Sequence, residues 1–315
     1  MIKLNVVKDE VDFEAYARRA LKGQYVRPAS SFMDSARSFM THAHTEGMTL
    51  PWIKTHDQFR FRKGEVTLWH GINGHGKSLL QGFVNLSLMQ QGEKVCVASF
   101  EMKPARTLQR MMRQACGVAN PTDAYMDRFE NWISSRLWFY DKQGTVRGNT
   151  LIGVMAYCHE ELGIQHFVID SMMKCGIAPD DYARQKSFID ELTSMARDTG
   201  MHVHLVVHSR KGESEMERPG KMDVKGASEI TDQVDNVLNI WRNKVKEQAV
   251  NNPSFKPKRG TREELLDAPD VLLDCDKQRN GEHEPKIALW FDRESFQYKA
   301  REHDRLIDFL GEGNE

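Results

Sequence analysis

The octet Gly71-Ile72-Asn73-Gly74-His75-Gly76-Lys77-Ser78 carries the strongest chemical signal in the 315-residue chain. A glycine, four residues and then Gly-Lys-Ser is the spacing of a turn whose backbone N–H groups converge on phosphate oxygens. The glycines allow the anion to approach the backbone, Lys77 reaches the outer phosphates of a nucleotide such as ATP, and Ser78 offers a hydroxyl to Mg²⁺. Gly71, Asn73, Gly74, His75, Gly76, Lys77 and Ser78 are the nucleotide-binding candidates, with His75 either facing the ligand or only shaping the loop.

A phosphate loop that hydrolyses its nucleotide also needs carboxylates. Asp170 ends the apolar run HFVID, where its charge is costly unless it meets a metal or a hydrogen-bonding partner. It reads as the acid that supports Mg²⁺, against the plainer role of capping the next helix. Glu101, after KVCVASF, either orients the attacking water or caps a helix beside Pro104. His208 ends HVHLVVH and either senses the γ-phosphate or is structural. His202 and His204 alternate with apolar residues in the same run and read as its solvent-facing or partly buried side. Lys277 and Arg279, two apart on a strand, point the same way. They form a solvated edge that discourages pairing, or they reach an anion held by a neighbouring subunit.

Those side chains need a frame. EVTLWHG reads as a strand entering the loop, and KSLLQGFVNLSLMQQG as the helix leaving it, which is the order a phosphate loop requires. Apolar strands and helical periods then alternate to HVHLVVHS. That alternation predicts an α/β fold with a mostly parallel sheet flanked by helices and a ligand at the C-terminal ends of the strands. DNVLNIWRN predicts a further strand, and VLLDCDKQRNG with PKIALWFDRESFQYK a hairpin around Arg279-Asn280-Gly281. Residues 244–270 are charged and poor in apolar side chains, which predicts a mobile insertion. Before the core, SSFMDSARSFMTHAHTEG spaces Phe32, Met33, Ala36, Phe39 and Met40 as an amphipathic helix. Its apolar face either folds back on its own core or docks on another subunit.

Composition sets limits. With 44 basic and 45 acidic residues, bulk charge gives no support to nucleic-acid binding, so any grip on DNA must be local. Five dispersed cysteines without a C-x-x-C pair suggest neither a disulfide framework nor a zinc ribbon. No apolar run approaches the roughly 20 residues of a membrane helix, and the N-terminus lacks a signal-peptide pattern, so the expected compartment is the cytoplasm.

GINGHGKS, SFEM with Arg110 nine residues after its glutamate, FVID, VVHSR, DVKGASEITDQVDNVLNIWRN and KQRNG occur in the order seen in hexameric replicative DNA helicases of the DnaB type, which include the helicase halves of phage primase-helicases. The chain resembles that family from about Pro51 to Phe296, and SFEM and KQRNG are the discriminating parts. The resemblance implies a RecA-like ATPase and helicase domain over residues 51–315, behind an N-terminal arm and linker helix over residues 1–50. It implies a homo-oligomeric ring, hexameric in the family pattern, with ATP at each interface.

On that resemblance Gly74, Gly76, Lys77 and Ser78 hold phosphates and Mg²⁺, Asp170 supports the metal, Glu101 polarises water and His208 senses phosphate. Lys277 and Arg279 match the pair that reaches the next subunit's γ-phosphate. Lys225, Gly226 and Ser228 lie where the family has its single-stranded-DNA loop, although the family often has Arg where Lys225 stands. No collar, zinc ribbon or primase domain is recognisable, so a separate primase, loader or polymerase would be the partner.

Overall fold

The computed structural model describes residues 11–20, 28–42, 46–178, 180–209, 216, 218–220, 223–224, 228–257 and 260–311. Two helices come first, α1 (Phe13–Ala20) and α2 (Met33–His42). A small antiparallel pair, β1 (Met48–Thr49) and β2 (Arg60–Phe61), leads to the central sheet. There β3 (Val66–Gly71), α3 (Lys77–Gln90), β4 (Val95–Ser99), α4 (Pro104–Cys116), α5 (Asp123–Ile133), β5 (Leu137–Phe139), α6 (Gly148–Leu162), β6 (His166–Asp170), α7 (Tyr182–Thr199) and β7 (His202–His208) alternate as expected. After them come α8 (Ser228–Gln233), β8 (Asn236–Arg242), α9 (Lys244–Asn251), α10 (Arg262–Asp267), β9 (Val271–Gln278), β10 (Lys286–Phe291) and β11 (Tyr298–Lys299).

The nine-stranded sheet has the order β11-β10-β9-β8-β3-β7-β6-β4-β5. From β8 to β5 the strands are parallel, while β9, β10 and β11 add antiparallel. This is the mostly parallel RecA-like sheet the motifs predict, with the phosphate loop where the chain crosses from β3 over two strands to β4.

Strand alternation sorts the core into two layers. Leu68, Phe167, Leu205 and their neighbours face α6 and α7. Trp69, Val168, Val206 and Leu238 face α3, α4 and α5. Because both faces are covered, α3 is buried nearly all round, whereas α4 buries only one stripe that includes Leu108, Met111 and Ala115. Gly117, Gly163 and Gly200 end α4, α6 and α7 in the left-handed conformation that closes a helix.

Covering both faces also overturns the expectation for His202 and His204. Neither faces solvent: both are buried, with His166 beside them. Their ring nitrogens are satisfied inside the protein. His166 Nδ1 and His204 Nε2 are 3.0 Å apart, Trp69 Nε1 donates to His204 Nδ1 at 3.2 Å, and His202 meets the Thr67 hydroxyl at 2.8 Å.

Two features were not foreseen. The charged stretch 244–270 contains the helices α9 and α10, and Lys246 Nζ lies 3.0 Å from Asp270 Oδ1, next to the start of β9. Thr261 and Glu264 form a reciprocal capping box, a local signal that the overall polarity of the stretch obscured. Ahead of the predicted linker helix stands α1, which lies on α6 of its own chain. Phe13 is buried between Tyr140 and Tyr157, worth about 2 kcal/mol, and the Tyr16 hydroxyl donates to Glu161 at 3.0 Å. In contrast α2 leaves Met33 half exposed and Met40 at 88% exposure, and Phe32 just before it is half exposed too. Among the described residues, no helix is long and apolar enough to cross a membrane.

Candidate functional site

The phosphate loop is the five-residue turn between β3 and α3. Gly71 is demanded by packing, since a Cβ there would stand 2.4 Å from the carbonyl oxygen of Ile240 on the adjacent strand. Gly74, with φ +80°, faces open space instead, which leaves its backbone accessible. Gly76 caps α3 in the left-handed region, and no side chain makes a capping hydrogen bond to that helix terminus. Its free N–H groups and positive dipole end suit an anion. His75 turns inward: it is buried, and its Nδ1 accepts the Arg242 N–H at 3.1 Å, so it braces the loop against β8.

Lys77 folds back on the loop, its Nζ donating to the carbonyls of Gly71 at 2.9 Å and Ile72 at 3.1 Å. Burial pushes its pKa down to about 8, against the upward pull of the Asp170 and Glu101 carboxylates. A bound phosphate would supply the negative charge that this buried ammonium lacks.

The acidic groups arrive by strand register. Ser99 pairs with Asp170, Asp170 with Val206, and His208 with Gly71, so the ends of four neighbouring strands line one edge. Burial raises the pKa of Asp170; the Ser78 hydroxyl bond lowers it, Glu101 raises it, and Lys77 and Arg110 draw it down. Glu101 is exposed just beyond β4. A cleft lined by Ser78, Ser99, Thr107, Arg110 and Asp170 opens beside the loop. Arg110 is a contributor that sequence reasoning noted only as part of a motif.

On the other side of the loop stand aromatic residues that sequence reasoning did not assign to the site. The Tyr298 hydroxyl lies 3.1 Å from where a Cβ on Gly76 would be, and the Phe291 ring is 5.1 Å from that of Tyr298. Their strand positions give no signal; only the return of the hairpin against the loop does.

Lys277 and Arg279 sit elsewhere. Strand β9 runs antiparallel to β8, with Val271 beside Arg242 at the loop end and Lys277 beside Val237 at the other. Six residues of strand, about 20 Å, separate these two levels, more than a side chain can span. There Lys277 Nζ donates to the carbonyls of Thr231, Asp232 and Val234 at 2.9, 2.8 and 2.7 Å, at the C-terminus of α8. Arg279 bonds the Asp232 carbonyl at 3.1 Å and pairs with Asp235 at 3.3 Å.

The intervening residues of KQRNG build the turn. Gln278 donates to the carbonyls of Gln58 and His283 at 3.0 and 2.7 Å, Asn280 donates to Glu65 at 2.8 Å, and Gly281 leaves the space that Gln278 fills. Of the proposed DNA contacts, Lys225 and Gly226 lie outside the described residues, and Ser228 opens the backbone of α8.

A protein family described as an AAA domain matches residues 57–214, half of the chain. The matched span includes the phosphate loop, Glu101, Asp170 and His208 and stops before Lys277 and Arg279. Among solved structures, one described as an ATPase domain is 13% identical with a TM-score of 0.68, over 87% of this chain and 98% of that one. A DnaB-like replicative helicase, whose structure was described together with its interactions with primase, is also 13% identical. Its TM-score is 0.67, over 88% of this chain and 68% of that one. At such identity these likenesses establish a common fold.

Proposed function

The chain belongs to the AAA-domain family, and from that premise we propose that it is a ring-forming replicative DNA helicase. On this reading it couples ATP hydrolysis to 5′-to-3′ translocation on single-stranded DNA and unwinds duplex by strand exclusion. The observation that carries the reading is the placement of the phosphate loop and the Lys277–Arg279 pair at opposite ends of one sheet. One copy cannot bring them together, whereas head-to-tail contact between copies can, and such contacts close into a ring or continue as a filament.

Within each site the uncapped start of α3 and Lys77 bind the phosphates. Glu101 orients the attacking water and accepts its proton, and His208, beside Gly71, hydrogen-bonds the terminal phosphate. Lys277 and Arg279 of the next subunit stabilise the charge that develops on the transferred group. The donor set fits Mg²⁺: Ser78 and Asp170 are hard oxygen ligands already in contact, and the buried carboxyl lacks a full counter-charge. When bound, the ion would neutralise phosphate charge and fix the orientation of the nucleotide.

Residues 1–50 serve as the arm, with α2 docking on an adjacent subunit, and residues 51–315 form the motor. Lys225, Gly226 and Ser228 contact the DNA backbone, so binding is sequence-tolerant and weakened by salt. On this reading a primase, a loader or a polymerase in the cytoplasm is the partner.

Fork unwinding by wild type, Lys77→Ala and Arg279→Ala tests the proposal. Unwinding by wild type and its loss in both variants support it. DNA-stimulated hydrolysis without unwinding would favour a RecA-like recombinase or mediator acting as a filament, and nucleotide-dependent assembly with negligible turnover an ATP-gated loading module.

A further inference from the structure

Tyr298 on β11 is only 3% exposed, and its ring is fixed from two sides. The Phe83 ring of α3 is 6.0 Å away and the Phe291 ring of the paired strand 5.1 Å, while the Tyr298 carbonyl accepts from Trp52 Nε1 at 2.6 Å. These contacts aim the hydroxyl at the start of α3, 3.1 Å from where a Cβ on Gly76 would stand. Among the described residues that hydroxyl has no hydrogen-bond partner. Phenylalanine would serve packing alone, and burying a hydroxyl without a partner is costly. An uncapped helix N-terminus and a buried, unpartnered donor therefore converge on one point.

We propose that Tyr298 is a nucleotide-contacting residue whose hydroxyl donates a hydrogen bond to the inner, α-phosphate of the bound nucleotide. This rests on the reading of the loop as a site for ATP, and it adds a donor from outside the loop. Sheet order selects the inner phosphate. On one side of β3, which feeds the loop, β7, β6 and β4 bring His208, Asp170 and Glu101 to the terminal phosphate. On the other side β8, β9, β10 and β11 bring Tyr298. A nucleotide lying between the two sides turns its γ-phosphate to the carboxylates and its α-phosphate to the hydroxyl.

The group is suited to donate. Burial pushes the tyrosine pKa up, and the nearby Arg242 and Arg110 guanidiniums pull it down without overcoming burial, so the phenol keeps its proton at neutral pH. Arg242 Nε donates to Glu247 of α9, which holds that cation beside the loop. Because ATP and ADP carry the same α-phosphate, the contact holds substrate and product alike. It raises affinity and leaves the hydrolytic step unchanged.

Tyr298→Phe in the full-length chain removes the hydroxyl and keeps the ring, so its melting midpoint should stay within about 3 °C of wild type. Calorimetry measures affinity for ADP, for a non-hydrolysable ATP analogue and for the two α-thio diastereomers of ADP, in which sulfur, a poor acceptor, replaces one non-bridging oxygen. The variant is expected to bind ADP and the ATP analogue about tenfold more weakly, by the same factor, with single-turnover hydrolysis at saturating ATP within about twofold of wild type. Wild type should bind the two diastereomers with affinities at least about fivefold apart, and the variant should narrow that gap to less than about twofold.

ADP affinity in the variant within about twofold of wild type overturns the proposal, as does a diastereomer gap that loss of the hydroxyl leaves unchanged. Wild type that binds both diastereomers equally overturns it whatever the variant does. Wild type that binds no nucleotide overturns the reading of the loop itself, and this contact with it. Weakened ADP binding and a narrowed gap in the variant, beside wild type that unwinds no duplex, would uphold the contact and reject the helicase reading instead.

Discussion

Gly71 and Ile240 approach so closely that the glycine's missing Cβ would lie 2.4 Å from the isoleucine carbonyl oxygen. That oxygen belongs to a strand held between β3 and β9, so it cannot give way without disturbing the sheet. Gly71→Ala is expected to cost about 2–3 kcal/mol of stability through overpacking. At Gly74 there is room but a left-handed φ, and Gly74→Ala should cost about 1 kcal/mol. Urea denaturation of both variants checks the order; Gly71→Ala as stable as wild type would refute the packing account.

Lys77 gives nucleotide binding a pH dependence. Its pKa in the free protein is pushed down to about 8, and bound phosphate raises it, so binding takes up a proton once the free lysine is neutral. Affinity should be flat near pH 7 and fall by about tenfold per pH unit above 8 until the pKa of the bound state is passed. Calorimetric titration in two buffers of different ionisation enthalpy would detect the proton, and a pH-independent affinity up to about pH 9.5 would count against the assignment.

The separation of Lys77 from Arg279 predicts rescue between two inactive variants. Lys77→Ala and Arg279→Ala are each expected to lose at least about a hundredfold in hydrolysis rate. Mixed in equal amounts, they should regain activity, because about a quarter of head-to-tail interfaces then pair an intact loop with an intact arginine. No recovery after subunit exchange would mean that the pair does not act across an interface.

Gly153 and Phe13 set the docking of α1. A Cβ on Gly153 would fall 1.9 Å from the Phe13 carbonyl oxygen, so Gly153→Ala should unseat α1 and expose the Tyr140 and Tyr157 rings. Hydrogen exchange over residues 11–20 should rise at least about tenfold. Deleting residues 1–45 should in addition weaken assembly, and unchanged oligomers by light scattering would remove the role given to the arm.

The three buried histidines make the fold sensitive to acid. Burial holds His166 and His204 well below the usual histidine range and His202 at about 4. In the unfolded chain these rings protonate near pH 6.5, so between there and the folded values the unfolded state binds more protons and stability rises with pH. It is complete above about pH 7 and is lost on acidification by up to about 1.4 kcal/mol per pH unit for each ring. Glu93, 3.6 Å from His166, is itself pushed up by burial and offers little counter-charge as the pH falls. Thermal melts from about pH 7.5 to about pH 5 should show a steep decline that His204→Asn lessens.

The phosphate loop, Asp170, the alternating strands and the closing hairpin were legible in the sequence because each is specified locally. Glycine spacing, period-two and period-3.6 patterns and turn residues act over a few positions and need no distant partner. Even KQRNG shows its alternation, with Lys277 and Arg279 on one side and Gln278 and Asn280 on the other. Three-dimensional packing decided what depends on contacts between remote segments. It buried His202 and His204, because helices cover both sheet faces, and it seated α1 where Gly153 leaves space. It brought Tyr298 to Gly76 and gave His70 its partners Ser209 and Asp276, 139 and 206 residues away. Above all, the antiparallel turn of β9 carried Lys277 and Arg279 away from their own phosphate loop, a direction that no spacing along the chain encodes.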